Sequence, residues 1–152
     1  MKARIYTDTS VLGGCEDDEF REPSHRLLQA FQRGALTLVL SEITIRELEG
    51  APDAVRAVLG SVPDEHIETL ALSQEAEDLA SAYIEDGAIG TGMYADALHI
   101  ALATVARVDV LVSWNFKHVV NLKRIHAYNA VNLKKGYPLL EIRTPREVQD
   151  DE

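Results

Sequence analysis

The chain has 152 residues, with 15 Lys and Arg against 25 Asp and Glu, a formal net charge of −10 and 46% hydrophobic residues. This is an ordinary globular composition, long enough for one domain with a sizeable core. It holds no apolar run near the ~18–20 residues of a membrane span, and its opening stretch, MKARIYTD, lacks a signal-peptide core, so a cytoplasmic location is expected. Cys15 stands alone, which excludes an intrachain disulfide framework and any multi-cysteine metal site.

In chain order, Ala3 to Asp8 reads as a short strand, closed by Gly13-Gly14. A helix follows from Pro23 to Arg33, with proline in its first turn and Gly34 after its end. Leu36 to Leu40 is a buried strand, and Ser41 caps a helix that runs through Glu49 and stops at Gly50. A helix from Ala54 to Leu59, a short strand from His66 to Leu70 and a Ser73-capped helix from Gln74 to Asp86 come next. Tyr94 to Ala106 is apolar nearly all round, the mark of a buried helix. Val108 to Ser113 is a strand, Val119 to Tyr128 a helix and Leu139 to Ile142 a last strand. Strands alternating with helices give an α/β fold around a mainly parallel sheet.

The charge is partitioned. Residues 117–146 carry seven Lys and Arg against one acid, Glu141, while the remainder carries eight basic and 24 acidic residues. Phe116, His118, His126, Tyr128 and Tyr137 interleave with those cations, a mixture suited to single-stranded nucleic acid. The Glu16 to Glu19 cluster reads as a solvated loop.

Open parallel sheets bind ligands beyond the carboxyl ends of their strands, and four polar places fall there. Asp8 ends the first strand, where turn formation or capping is the competing role. Glu47 leaves the solvent stripe of Glu42, Arg46 and Glu49 and shares a side with Ile43, so it needs a salt bridge or a metal. Asp96 opens the most apolar helix, where the dipole favours an anion and burial raises its pKa, with His99 one turn on as a possible partner. Ser113 and Asn115 follow the 108–113 strand, while Asp109 at its other end reads as structural. Three inward carboxylates at one sheet edge repel each other, and a hard divalent cation such as Mg²⁺ or Mn²⁺ resolves that repulsion.

Tyr6-Thr7-Asp8-Thr9-Ser10, Glu47 in Ile45-Arg46-Glu47-Leu48, Asp96 before an alanine-rich helix and Ser113-Trp114-Asn115 together resemble the PIN domain, and are similar in spacing to the VapC toxins of bacterial toxin–antitoxin pairs. The resemblance covers about residues 3–145. It implies a three-layer sandwich with a central parallel sheet, a Mg²⁺- or Mn²⁺-dependent endoribonuclease acting on RNA, a homodimer and a cognate antitoxin partner. Asp8, Glu47 and Asp96 would hold the metal, with Asn115 as a fourth catalytic residue and Ser10, Ser113, Lys117 and His118 positioning the substrate. The family's last motif usually ends in Asp. Asn115 keeps an oxygen ligand and loses a charge, which favours one firmly held ion, with Glu16 to Glu19 as a source of a compensating carboxylate. The alternative is a PIN-like module with weak or no turnover that binds RNA or protein.

Gly90-Thr91-Gly92-Met93-Tyr94-Ala95 matches a dinucleotide fingerprint, but a helix rather than a strand precedes it. There is no phosphate-binding GK[ST] loop, G-x-S-x-G elbow or H-E-x-x-H pair, and Cys15 has only its nearness to Asp8 to suggest a nucleophile.

Overall fold

The computed structural model describes residues 2–148. Five strands form one sheet: β1 (Arg4–Thr7), β2 (Thr37–Ser41), β3 (Ile67–Leu70), β4 (Val110–Val112) and β5 (Ile142–Arg143). They lie in the order β3-β2-β1-β4-β5, and every pairing is parallel. Seven α-helices connect them: α1 (Thr9–Gly14), α2 (Arg21–Gln32), α3 (Glu42–Glu49), α4 (Asp53–Gly60), α5 (Gln74–Glu85), α6 (Tyr94–Val105) and α7 (Leu122–Lys134). None of the described helices is long and apolar enough to cross a membrane.

The period-2 alternation of strand side chains creates the layers. Tyr6, Val39, Leu111 and Ile142 point to one face and pack with α5, α6 and α7. Ile5, Leu38, Leu40 and Val112 point to the other and pack with α1, α2 and α4. Both faces are covered, so the inner positions of β1, β2 and β4 are mostly apolar, as a parallel sheet requires. Each fully buried aliphatic side chain contributes about 1.5–3 kcal/mol. The α6 run from Ala97 to Thr104 is buried on every side, as its mostly apolar sequence implies.

Three element boundaries differ from the sequence reading. The Gly13-Gly14 segment belongs to α1, a six-residue helix capped by Asp8 and anchored by buried Val11 and Leu12. Gly14 is required there: a Cβ would lie 2.7 Å from both Ser24 Oγ and Trp114 Nε1. The final helix starts after an Asn121 cap and continues to Lys134, because Tyr128 and Val131 extend its buried face. The last strand is displaced to Ile142–Arg143, where Leu111 pairs with Ile142. The Gly90 to Ala95 stretch is a 3₁₀ turn at Thr91–Met93 followed by the start of α6, without the preceding strand that a dinucleotide site needs. Asp109 is structural, its Oδ2 accepting the Arg4 backbone N–H at 2.7 Å.

Candidate active site

Strand order reverses at β1: the chain passes to β2 on one side and later to β4 on the other. The crevice between the carboxyl ends of β1 and β4 is the ligand position of such sheets. Asp8 lies at the end of β1 and Ser113 at the end of β4.

Asp8 is buried and fully engaged. Its Oδ1 accepts from Ser10 N at 3.1 Å and Ser10 Oγ at 2.5 Å, and its Oδ2 accepts from Ser113 Oγ at 2.6 Å. Burial pushes its pKa up against these hydrogen bonds, and the nearby charge of Asp96 pushes the same way. Both serine hydroxyls spend their proton on Asp8, so Ser10 and Ser113 position this carboxylate. Ser10 Oγ also accepts Trp114 N at 2.9 Å, and Ser113 Oγ accepts Asn115 N at 2.9 Å, which ties the chain after β4 to the start of α1.

Glu47 stands in the last turn of α3. Its side chain is 38% exposed, so it faces the crevice rather than the core. Its Oε1 accepts from Thr9 Oγ1 at 2.6 Å and lies 2.8 Å from His99 Nε2. Burial would raise its pKa, but the hydrogen bonds from His99 and Thr9 outweigh that and hold it below the usual carboxylate range. His99 is therefore the partner of Glu47, with Tyr6 on its other nitrogen, and makes no hydrogen bond to Asp96.

Asp96 occupies the first turn of α6. Its one hydrogen bond among the described residues is a long one, 3.5 Å, from Asn115 Nδ2. Burial raises its pKa, the charges of His99 and His118 counter this, and Glu47 raises it again. Asp8 thus senses the charge of Asp96, and Asp96 that of Glu47, across one crevice.

Asn115 does not offer its oxygen to this crevice. Oδ1 accepts the backbone N–H groups of Lys117 at 3.2 Å and His118 at 2.9 Å, which leaves the amide nitrogen toward Asp96. The expectation of an Asn115 oxygen ligand is corrected by this turn. His118 Nδ1 is buried without a hydrogen-bond partner, a place suited to an ordered water or ligand atom.

Part of the basic segment is consumed by the fold. Lys134 pairs with Asp86, Arg143 with Glu141 and Glu147, and Arg124 donates to the Ala88 carbonyl. Lys117, next to the site, pairs with no acid among the described residues. Beside it, Phe116 is 48% exposed, Trp114 stacks on Phe20 at 4.3 Å and the Arg146 guanidinium lies 5.0 Å from the Trp114 ring. The 16–19 loop makes no hydrogen bond to Asp8, Glu47 or Asp96: Asp17 accepts the Glu19 backbone N–H and Asp18 pairs with Arg21.

The donor set suits a hard cation. No three His, Cys, Asp or Glu side chains among the described residues form a ready-made metal cage. Mg²⁺ does not need one, because it keeps several waters and binds through one or two carboxylates. An all-oxygen set with two acids held above their ordinary pKa is stabilised by such an ion.

No protein-family profile and no curated protein matches the sequence. Solved structures do. The FitAcB complex of Neisseria gonorrhoeae matches with a TM-score of 0.60 at 14% identity, over 95% of this chain and 99% of that chain. VapBC2 of Rickettsia felis, bound to a DNA fragment from its promoter, matches at 0.59 and 15% identity over 93% and 98%. Mycobacterium tuberculosis VapC20, a toxin that cleaves the sarcin–ricin loop, matches at 0.57 and 13% identity over 75% and 92%. The fold is that of the VapC-type PIN domain. Asp8, Glu47, Asp96, Ser113 and Asn115 lie around the β1–β4 crevice of this fold. Tyr6 and Thr9, read as part of the first motif, and Ser41, read as a helix cap, were given no role at the site; the signal for their contacts was His99, a histidine inside a mostly apolar helix.

Proposed function

We propose that the chain is a Mg²⁺- or Mn²⁺-dependent endoribonuclease and the toxin of a toxin–antitoxin pair, acting as a homodimer that a cognate antitoxin neutralises. The convergence of Asp8, Glu47 and Asp96 at the β1–β4 switch point carries this reading, since separate chain regions bring three acids together at a mutual electrostatic cost. The likeness to VapBC2, to the sarcin–ricin loop cleaving toxin VapC20 and to a Klebsiella pneumoniae toxin–antitoxin complex supports it. Asp8, Glu47 and Asp96 would hold the ion, which supplies an activated water and stabilises charge on a phosphoryl oxygen.

The chain's own groups divide the remaining work. Ser10 and Ser113 fix Asp8 in place. Lys117 is free to meet a phosphate, and Phe116 offers a stacking surface for a base. His118, which follows Asn115 at the crevice and has a buried, unpartnered Nδ1, is placed to meet a leaving oxygen.

A second reading rests on Asn115. Its amide nitrogen faces Asp96 where an acid would add a ligand, which favours a PIN-like module with weak turnover that holds RNA or protein. Cleavage of a single-stranded RNA panel with Mn²⁺, with EDTA, and with Asp8→Asn and Asp96→Asn separates the two. The nuclease reading expects cleavage that needs Mn²⁺ and both acids. Cleavage that survives EDTA or both substitutions refutes the metal mechanism, and tight RNA binding without cleavage establishes the module.

A further inference from the structure

We infer that Tyr6 and His99 are positioning residues that hold Glu47 in register with Asp8 and Asp96, an inference that rests on the metal-site reading above. His99 is 4% exposed on a helix face packed among apolar side chains, so both ring nitrogens must find partners inside the protein. Nδ1 lies 2.6 Å from Tyr6 Oη and Nε2 lies 2.8 Å from Glu47 Oε1. Tyr6 Oη is in turn 2.8 Å from Ser41 Oγ.

The protons along this chain can be assigned. Ser41 Oγ accepts the Thr44 backbone N–H in the capping box of α3, so its own hydrogen is available for Tyr6. An ionised Glu47 only accepts, which places a hydrogen on His99 Nε2. With the hydrogen on Nε2 and a lone pair on Nδ1, the Tyr6 hydroxyl is the donor at 2.6 Å. The run is Ser41 to Tyr6 to His99 to Glu47, with every group satisfied. Thr9 adds a second donor to the same Oε1, so Oε2 has no protein donor among the described residues and is the oxygen left for an ion.

The placement of the relay gives it its role. Tyr6 is two residues before Asp8 on β1, and His99 is one helical turn after Asp96 on α6. A single buried chain therefore links the elements bearing all three acids and fixes where Glu47 stands relative to the other two. Partners of this kind, one shell out from a metal ligand, are worth about 10–100-fold in metal affinity.

The test is Mn²⁺ affinity by electron paramagnetic resonance for wild type, His99→Leu, His99→Gln and Tyr6→Phe, with circular dichroism to establish folding and ¹⁵N NMR to read the His99 tautomer. Wild type should bind Mn²⁺ and show the Nε2–H tautomer. His99→Leu should bind about 10–100-fold more weakly. His99→Gln, whose amide N–H still reaches toward Glu47, should recover most of the loss. Tyr6→Phe removes one hydroxyl and should weaken binding about tenfold, which keeps the test open should His99→Leu not fold. A folded His99→Leu or Tyr6→Phe that binds Mn²⁺ as tightly as wild type, or an Nδ1–H tautomer, overturns the relay and leaves the nuclease reading standing. A wild type that binds no Mn²⁺ refutes both.

Discussion

Replacing Ser113 by alanine removes the hydroxyl that faces Asp8 Oδ2 at 2.6 Å in a fully buried position. A hydrogen bond to an ionised partner contributes about 1.5–3 kcal/mol, and one to a neutral partner about 0.5–1.5 kcal/mol. The same hydroxyl accepts Asn115 N at 2.9 Å, which adds about 1 kcal/mol in either state. The variant should therefore lose about 3 kcal/mol when Asp8 is ionised and about 2 kcal/mol when it is protonated. The sign follows from linkage: the Ser113 bond favours the charged form, so its removal raises the folded pKa of Asp8 further, and the destabilisation grows as pH rises through that pKa. Urea denaturation of both proteins in EDTA, followed by Trp114 fluorescence from about pH 8 down to about pH 4, measures the difference directly. A loss that is the same at both ends of that range, or near zero throughout, would refute the assignment of Asp8 as a buried, serine-stabilised carboxylate.

Asp96→Asn should abolish Mn²⁺-dependent cleavage while stabilising the metal-free protein near neutral pH. The fold raises the Asp96 pKa, so ionisation costs stability above that pKa, and the wild type regains it as pH falls; denaturation curves at two pH values show whether the advantage disappears in acid. Asn115→Asp should do the reverse, weakening the metal-free fold at neutral pH by placing a second charge on Asp96 and tightening Mn²⁺ binding, both readable by thermal shift with and without the ion. Gly14→Ala should cost about 1–3 kcal/mol, because its Cβ would displace the Ser24–Trp114 hydrogen bond of 2.8 Å; a shift in the Trp114 emission should accompany the drop in Tm.

The sheet and the site acids were legible for physical reasons that operate locally. Apolar strands bounded by helices fix a parallel sheet, and Asp8, Ser113 and Asn115 fall just past strand ends, where the sheet itself puts its crevice. Asp96 stood out as the one charge in an apolar helix, and Glu47 as an acid off the solvent stripe. What escaped depends on partners distant in sequence. Glu47 and His99 are 52 residues apart, so the sequence offered no reason to prefer that pair over His99 with Asp96. The helix expected to end at Tyr128 runs on to Lys134, and Asn132 in that extension is fully buried and takes its hydrogen bond from Tyr83, 49 residues away. The basic run appeared as one face until Asp86, Glu141 and Glu147 were found to neutralise part of it. The net charge of −10 gave no guide to the site, whereas the placement of three of those acids did.

The most direct measurement is the anomalous difference density of a Mn²⁺-soaked crystal at neutral pH. The expected result is a peak in the β1–β4 crevice, coordinated by oxygens of Asp8, Glu47 and Asp96 directly or through water, and absent from an Asp96→Asn crystal. A crevice without density at saturating Mn²⁺, or an ion bound away from these three acids, would contradict the proposed metal site.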